Sequence, residues 1–350
     1  MPALAVADAL RDRGAEVSFL GTRDRAEARL VPAAGYEIDY LSVRGLDRGN
    51  PIRALGALAR AAAALPAARR ALRRRRADAV LGGGGYVSGP AGLAAVTGGI
   101  PLVLAEADSH LGLANRLLAA RAERVCLAFP IPGRDGDRYL VTGRPVPPGV
   151  LTADRESARR RYGIRLTEPC LLVFGGSLGA RSVNEVAIEA FAKRDGARDF
   201  HVLHIAGHRD YPTAAERLRS MGPPERYTLI EYEPNLGDPL AAADLVLARA
   251  GGSVFELAAT GRPAILVPFP RAAARHQHSN AEWMARSGAA VVLEDAELRP
   301  ERLAEEVASL LGDPARLREM SDASRSLARP DAAARIADEL LRAATTGSGS

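Results

Sequence analysis

The chain has 350 residues, 47% hydrophobic and 25% charged, the range of ordinary globular proteins and long enough for two domains with sizeable cores. Two cysteines, Cys126 and Cys170, are too few for a disulfide framework and fit a reduced, cytoplasmic setting. The net charge of +5 is modest, and no apolar run or signal peptide reads as a membrane span or leader, so a soluble or membrane-surface protein is expected.

In chain order, Pro2–Arg13 keeps helical spacing, Val17–Leu20 reads as a strand, Arg25–Ala33 as a helix and Glu37–Leu41 as a strand. Residues 51–77 are rich in alanine and arginine and predict a helix interrupted near Pro66. Strand Ala79–Leu81 leads into the glycine-rich run Gly82–Gly85, and strand Pro101–Leu104 precedes a helix near Leu111–Ala122. Val125–Ala128 and Tyr139–Thr142 close this half, and Gly143–Gly149, with three prolines, reads as a hinge. Strands Cys170–Phe174, His201–Ile205, Tyr227–Ile230, Leu245–Ala248, Ala264–Val267 and Ala290–Leu293 then alternate with helical segments, and Arg329–Ala344 is a last helix. The alternation predicts an α/β protein with parallel, doubly wound sheets. The expected division is 1–146, 147–328, the helix 329–344 and a disordered polar tail 345–350.

Two glycine loops each follow an apolar strand and precede a helix, one per half: Gly82–Gly89 and Gly175–Gly179. Such junctions bring backbone N–H groups to an anion at the positive end of a helix, so two facing domains with a phosphate-binding cleft are expected. Ser177 adds a hydroxyl, with Arg181 just inside the next helix; a plain tight turn is the bland alternative. Gly251, Gly252 and Ser253 repeat the pattern, and Glu256 in the following helix can accept ribose hydroxyls or simply favour the helix dipole. Gln277 and Asn280 suit sugar hydroxyls, whereas His276 and His278 have no third ligand nearby and do not predict a metal site. Glu106, Asp108 and His110, after a strand end, are candidates for a general base; Asp108 or Ser109 as a helix N-cap is the competing reading. The arginines Arg69, Arg70, Arg73, Arg74, Arg75 and Arg76 fit a solvated helix face or attraction to anionic lipid; nucleic acid is disfavoured because stacking aromatics are missing from the run.

These stretches together resemble the MurG family of bacterial peptidoglycan glycosyltransferases, from Met1 to about Ala344. Gly84–Pro90, Gly175–Arg181, Arg249–Ser253 with Glu256, and His276-Gln277 with Asn280-Ala281 carry the resemblance. It implies a GT-B fold and transfer of N-acetylglucosamine (GlcNAc) from UDP-GlcNAc to undecaprenyl-linked lipid I, giving lipid II, by an inverting, metal-independent reaction with no cofactor. For the donor it implies Gly176, Ser177 and Arg181 at the diphosphate, Gly251, Gly252, Ser253 and Val254 along the nucleotide, Glu256 at the ribose, the backbone near Glu233 at the uracil, and His276, Gln277 and Asn280 at the sugar. For the acceptor it implies Gly84, Gly85, Tyr86, Ser88, Asp108, Asn115 and Arg144. It also implies a peripheral place on the cytoplasmic face of the cell membrane, contacts with anionic lipid through Ile52–Arg76 and with other cell-wall synthesis proteins, and no nucleic-acid partner.

The chain departs from the family pattern at four points. Asp108 stands for an asparagine; Arg144 and Pro147 stand for the asparagine and arginine of the interdomain Gly-Asn-Pro-Val-Arg; and the turn before Glu256 is one residue shorter. The family's opening strand and Gly-Gly-Thr-x-Gly-His loop has no counterpart before Met1-Pro2-Ala3-Leu4, which a start placed at an internal Met explains. Two other readings therefore stand beside the main one: another GT-B UDP-sugar enzyme, such as a glycolipid glycosyltransferase or a UDP-GlcNAc epimerase, and a homologue that binds donor without turnover.

Overall fold

The structure, a computed structural model, describes residues 2–43, 51–192, 199–222, 225–270, 272 and 276–347. The chain forms two compact units, residues 1–146 with 329–350 and residues 147–328.

The first unit opens with α1 (Pro2–Arg11), β1 (Ser18–Gly21), α2 (Glu27–Ala33) and β2 (Glu37–Tyr40). It continues with α3 (Pro51–Arg74), β3 (Val80–Gly82), α4 (Gly85–Thr97), β4 (Leu102–Glu106), α5 (Leu113–Leu118), β5 (Arg124–Leu127) and β6 (Tyr139–Val141). Pro66 does not interrupt α3, contrary to expectation. It costs the helix one N–H, but Pro66 and Ala62, whose carbonyl loses that partner, are both exposed, so water replaces the bond. The opposite face, Ala64, Ala68 and Leu72, is buried against Ala94 and Ala95 of α4.

All strand pairs of this unit are parallel, but they fall into two sheets, β1-β2 and β3-β4-β5-β6. The sheets share cores without pairing: Leu20 of β1 and Val80 of β3 pack on one cluster, Val17 and Leu81 on another.

The second unit contains α6 (Pro148–Thr152), α7 (Arg155–Tyr162), β7 (Cys170–Phe174), α8 (Arg181–Phe191), β8 (His201–Ile205), α9 (Tyr211–Ser220) and β9 (Tyr227–Ile230). Then follow α10 (Gly237–Ala242), β10 (Leu245–Ala248), α11 (Val254–Thr260), β11 (Ala264–Leu266), α12 (His276–Arg286), β12 (Ala290–Val292), α13 (Pro300–Leu311) and α14 (Pro314–Ser326). Its six strands make one parallel sheet in the order β12-β11-β10-β7-β8-β9. The first strand, β7, is central, so the order reverses between β7 and β10, where ligands of open α/β sheets bind beyond the strand ends. β7, β8 and β10 are buried along their whole length; β7 and β10 accordingly read as unbroken apolar runs, while β8 carries His201 and His204 among its apolar residues.

The amino ends of these strands are fastened by a buried cation. Arg159 is wholly inaccessible and donates to the carbonyls of Ala242, Arg165, Leu166 and Glu168 and to Asp244 at 2.7 Å. Asp244 also accepts the Cys170 N–H at 2.8 Å, joining β7 to β10.

The last helix, α15 (Ala332–Gly347), returns to the first unit. Ile336 and Ala337 join Val6, Leu10, Val103 and Cys126 in one core, and Arg13–Asp338 and Arg124–Glu339 pair at 3.0 and 3.2 Å. The helix passes Ala344 and takes in Thr345 and Thr346, expected as tail, because both hydroxyls donate back to the Arg342 carbonyl. Residues 348–350 of the expected tail lie outside the described residues.

Candidate functional site

In the second unit the loop after β7 turns so sharply that its glycines cannot be replaced freely. Gly179 has φ +92°, and a Cβ there would lie 2.2 Å from the Ala206 carbonyl oxygen. Gly207, at φ +85°, would meet the Gly179 nitrogen at 2.1 Å, so the loop and the end of β8 lie backbone to backbone. The Gly179 N–H donates to Gly176, and the His208 N–H donates to the Ser177 carbonyl. Ser177 itself is exposed, and α8 begins with no side-chain cap. The first N–H groups of α8 and the exposed Ser177 hydroxyl therefore lie beyond the carboxyl end of β7, at a position that suits an anion.

Behind this loop sits a buried polar relay. Asn184 of α8 donates to the Ala206 carbonyl at 2.9 Å, and its Oδ1 lies 3.0 Å from His204 Nε2; the Tyr227 hydroxyl lies 2.7 Å from Nδ1. Burial pushes the His204 pKa down to about 3, so the ring is neutral.

The loop after β10 carries Gly251, Gly252, Ser253 and Val254 into α11, again without a side-chain cap. Glu256 lies in its first turn and is half-buried. Asn280 is buried and its amide donates to the carbonyls of Ala250 and Gly251, at 2.9 and 3.4 Å. It thus holds the glycine turn from behind. Gln277 accepts the Phe269 N–H at 2.9 Å, which fixes its amide beside the loop after β11. His276 opens α12, and His278 lies 3.2 Å from Glu294. Among the described residues no three His, Cys, Asp or Glu side chains gather as metal ligands.

Glu233 is buried and its carboxylate is taken up by Arg161 at 2.6 Å, the Tyr162 hydroxyl at 3.0 Å and the Asn235 N–H at 3.2 Å. Burial first, then the Glu233 charge, raises the Tyr162 pKa. The side chain of Glu233 therefore shapes its own turn.

In the first unit, Gly84 and Gly85 both have positive φ, and α4 starts without a side-chain cap. Tyr86 is about half exposed, with the Arg25 guanidinium 5.9 Å from its ring centre. Ser88 is buried and donates to the Gly84 carbonyl at 2.5 Å, securing the turn from within. Glu106 is buried as well. It accepts the Asp108 N–H at 3.1 Å, the Gly112 N–H at 2.8 Å and the Asn115 amide at 2.9 Å. Three donors on two oxygens make it the organiser of residues 107–112. Neither Asp108 nor Ser109 caps a helix as the competing reading had it, because α5 starts only at Leu113 with Gly112 before it. Asp108 is half-buried and His110 exposed, while Asn115 is buried with Oδ1 unpartnered among the described residues. Arg144 lies half-buried, three residues after β6. Burial pushes the thiols of Cys126 and Cys170 up to about 12, which removes both as nucleophiles.

Residues 1–127 match the glycosyltransferase family 28 N-terminal domain and residues 170–336 the glycosyltransferase family 28 C-terminal domain. The chain is 41% identical to a UDP-N-acetylglucosamine--N-acetylmuramyl-(pentapeptide) pyrophosphoryl-undecaprenol N-acetylglucosamine transferase from Moorella thermoacetica, over 99% of this chain and 96% of the relative. This chain belongs to the MurG family. The transferase of the same name from Halorhodospira halophila is 42% identical over 96% of this chain and 92% of its own. The crystal structure of Acinetobacter baumannii MurG superposes with a TM-score of 0.79 at 31% identity, covering 97% of this chain and 95% of that one. The fold is GT-B, with two Rossmann-like units built on parallel sheets.

Three groups shape these loops in roles that the sequence analysis did not assign to them: Glu106 as an organiser rather than a free base, the His204–Asn184 pair, and Arg249, just after β10, as a buried, paired cation. A charged residue between a buried strand and a glycine turn must be paired, and that signal was readable in Arg249.

Proposed function

We infer that the protein transfers GlcNAc from UDP-GlcNAc to the C4 hydroxyl of the MurNAc residue in lipid I, giving lipid II and UDP. The observation that carries this is 41% identity with a transferase of that name across 99% of the chain. The C4 oxygen attacks C1 of GlcNAc, the bond from C1 to the diphosphate breaks, and the anomeric centre inverts. The hydroxyl proton passes to a base. Negative charge then grows on the UDP diphosphate, where the uncapped N–H groups at the start of α8 and the Ser177 hydroxyl stabilise it.

Glu256 takes the ribose hydroxyls, Gln277 and His276 the sugar, and the turn at Glu233 the uracil. Gly176, Arg181 and residues 251–254 line the remaining nucleotide, with Asn280 supporting them from behind. In the first unit, Gly84, Gly85, Tyr86, Asn115 and Arg144 take the acceptor pyrophosphate side, with Ser88 stiffening the turn. Of the three base candidates, Asp108 and His110 keep an open side chain, whereas Glu106 is committed to three donors.

No helix among the described residues is long and apolar enough to cross a membrane. The acceptor's lipid tail places the enzyme at the cytoplasmic membrane face as a peripheral protein. Arg70, Arg73 and Arg76 are exposed on and just after α3 and suit anionic head groups, whereas Arg74 and Arg75 pair with Asp39 and Arg69 with Thr97. The side chains of residues 51–60, part of the expected contact Ile52–Arg76, lie outside the described residues.

The test is turnover with UDP-GlcNAc and a lipid I analogue, followed by UDP release and product mass. Transfer to another sugar acceptor, or epimerisation of the donor, overturns the reading. A second reading draws on the divided sheet of the first unit: the half that supports the acceptor is less completely paired than the half that supports the donor. On that reading calorimetry shows UDP-GlcNAc binding while no product forms.

A further inference from the structure

Arg249 is the first residue after β10, and it is buried. Its guanidinium reaches three other strand-to-helix junctions of the second unit. Nη1 donates to the carbonyls of Val267 and Pro268, just after β11, at 3.1 and 3.4 Å. The same nitrogen pairs with Asp295, after β12, at 2.6 Å. Nη2 donates to Ser182 Oγ, in the first turn of α8, at 2.7 Å, and that hydroxyl donates onward to Asp295 at 2.8 Å. The guanidinium also lies 5.4 Å from the centre of the Phe269 ring, and the Phe269 N–H is the donor that fixes Gln277.

One planar cation thus connects the diphosphate loop, the glycine turn before α11 and the loop that sets Gln277. A guanidinium holds several acceptors at fixed angles, which a lysine ammonium cannot do. The amino ends of the same sheet's strands offer a natural contrast. Arg159 is as deeply buried and as fully bonded, but its acceptors precede β7 and β10, on the side away from these loops.

We propose that Arg249 is a positioning residue that keeps the diphosphate loop and the sugar loop in register, so that its loss falls on a ligand that spans both. This rests on the donor reading above. UDP-GlcNAc touches the Ser177 loop and Gln277 together; UDP lacks the sugar and needs no register between them. Arg249 acts through Ser182 and Phe269 and touches neither ligand.

The experiment is calorimetric titration of UDP and UDP-GlcNAc into the full chain and the variants R249K, S182A, Q277A, R249K/Q277A and R159K. R249K is expected to weaken UDP-GlcNAc about tenfold and UDP by less than about threefold. S182A, a milder cut in the same strut, shifts the ratio in the same direction and keeps the test open if R249K folds poorly. In the Q277A background R249K adds less than about threefold, because the loop it positions no longer carries the amide. R159K lowers the melting temperature but leaves the UDP-GlcNAc to UDP ratio unchanged. Equal weakening of both ligands by R249K and S182A, or losses of R249K and Q277A that multiply, overturns the proposal. If the unaltered chain binds neither UDP nor UDP-GlcNAc, the donor reading itself fails; binding without the selective loss overturns the role of Arg249 alone.

Discussion

Gly179→Ala tests the reasoning behind the diphosphate loop most directly. The residue has φ +92°, and an L-residue at positive φ costs about 1–2 kcal/mol. The added Cβ would lie 2.2 Å from the Ala206 carbonyl oxygen and 2.7 Å from Asp210 Oδ2. The carbonyl belongs to backbone at the end of β8 and cannot swing away, so the loop must move by about 1 Å, at a further overpacking cost of about 1–3 kcal/mol. For a unit of this size that is a fall in melting temperature of about 5–15 °C. A positioned group displaced by about 1 Å loses about a hundredfold in function, so calorimetry below the transition is expected to show UDP-GlcNAc affinity reduced by about 10–100-fold. Gly176→Ala is the control: its φ is +102° but nothing stands within 4 Å of the Cβ, so only the backbone term of about 1–2 kcal/mol applies to stability. A Gly179→Ala protein that melts within about 2 °C of the parent and binds donor within about threefold would refute the reasoning.

Asp244→Ala strips Arg159 of its carboxylate; discounted for the partial exposure of Asp244, the loss is expected near the lower end of about 3–5 kcal/mol, read by denaturant titration. His204 is held neutral, with its pKa lowered to about 3, while in the unfolded chain it titrates near 6.5. The unfolded state therefore binds the extra proton first, and its contribution, complete above pH 6.5, is lost as pH falls toward 3, by up to about 1.4 kcal/mol per pH unit. His204→Gln should flatten that acid slope in melts at stepped pH; an unchanged slope counts against the assignment. Replacing Ala337, which is fully buried on the inner face of α15, by Asp should unfold the first unit while leaving the transition of the second in place, as separate calorimetric peaks would show.

Much of the fold was legible because the strands of a parallel sheet covered on both faces are written as short, mostly apolar runs. Cys170–Phe174, His201–Ile205, Tyr227–Ile230 and Leu245–Ala248 stand in the structure with the bounds that the sequence predicts. The glycine turns were legible for a similar reason, since few residues other than glycine tolerate the positive φ seen at Gly84, Gly176 and Gly179. What was not legible depends on partners far apart in the chain. Glu106 looks like a base until the N–H groups of Asp108 and Gly112 close on it. Arg249 looks like part of a motif until Asp295 and Ser182 arrive from other junctions. The last helix was legible as a helix, but not that Val6, Leu10 and Cys126 pack against it. Pro66 misled because local chemistry says break, while packing of Ala64 and Ala68 against α4 holds the helix together.

The divided sheet has a consequence for how the first unit breathes. Among the described residues β1 and β2 pair in a ladder only with each other; side chains such as Val17 and Leu20 pack them on the cores under β3 and β4, and Asp39 of β2 pairs with Arg74 and Arg75 at the end of α3. A pair of strands so held opens without disturbing β3–β6, so its amides should exchange with solvent orders of magnitude faster than those of β7, β8 and β10. On the side away from their ladder partners, β1 and β3 also carry backbone groups that no strand among the described residues pairs with. At high protein concentration those edges are where a second extended chain would add, which makes this seam the first place for self-association to begin.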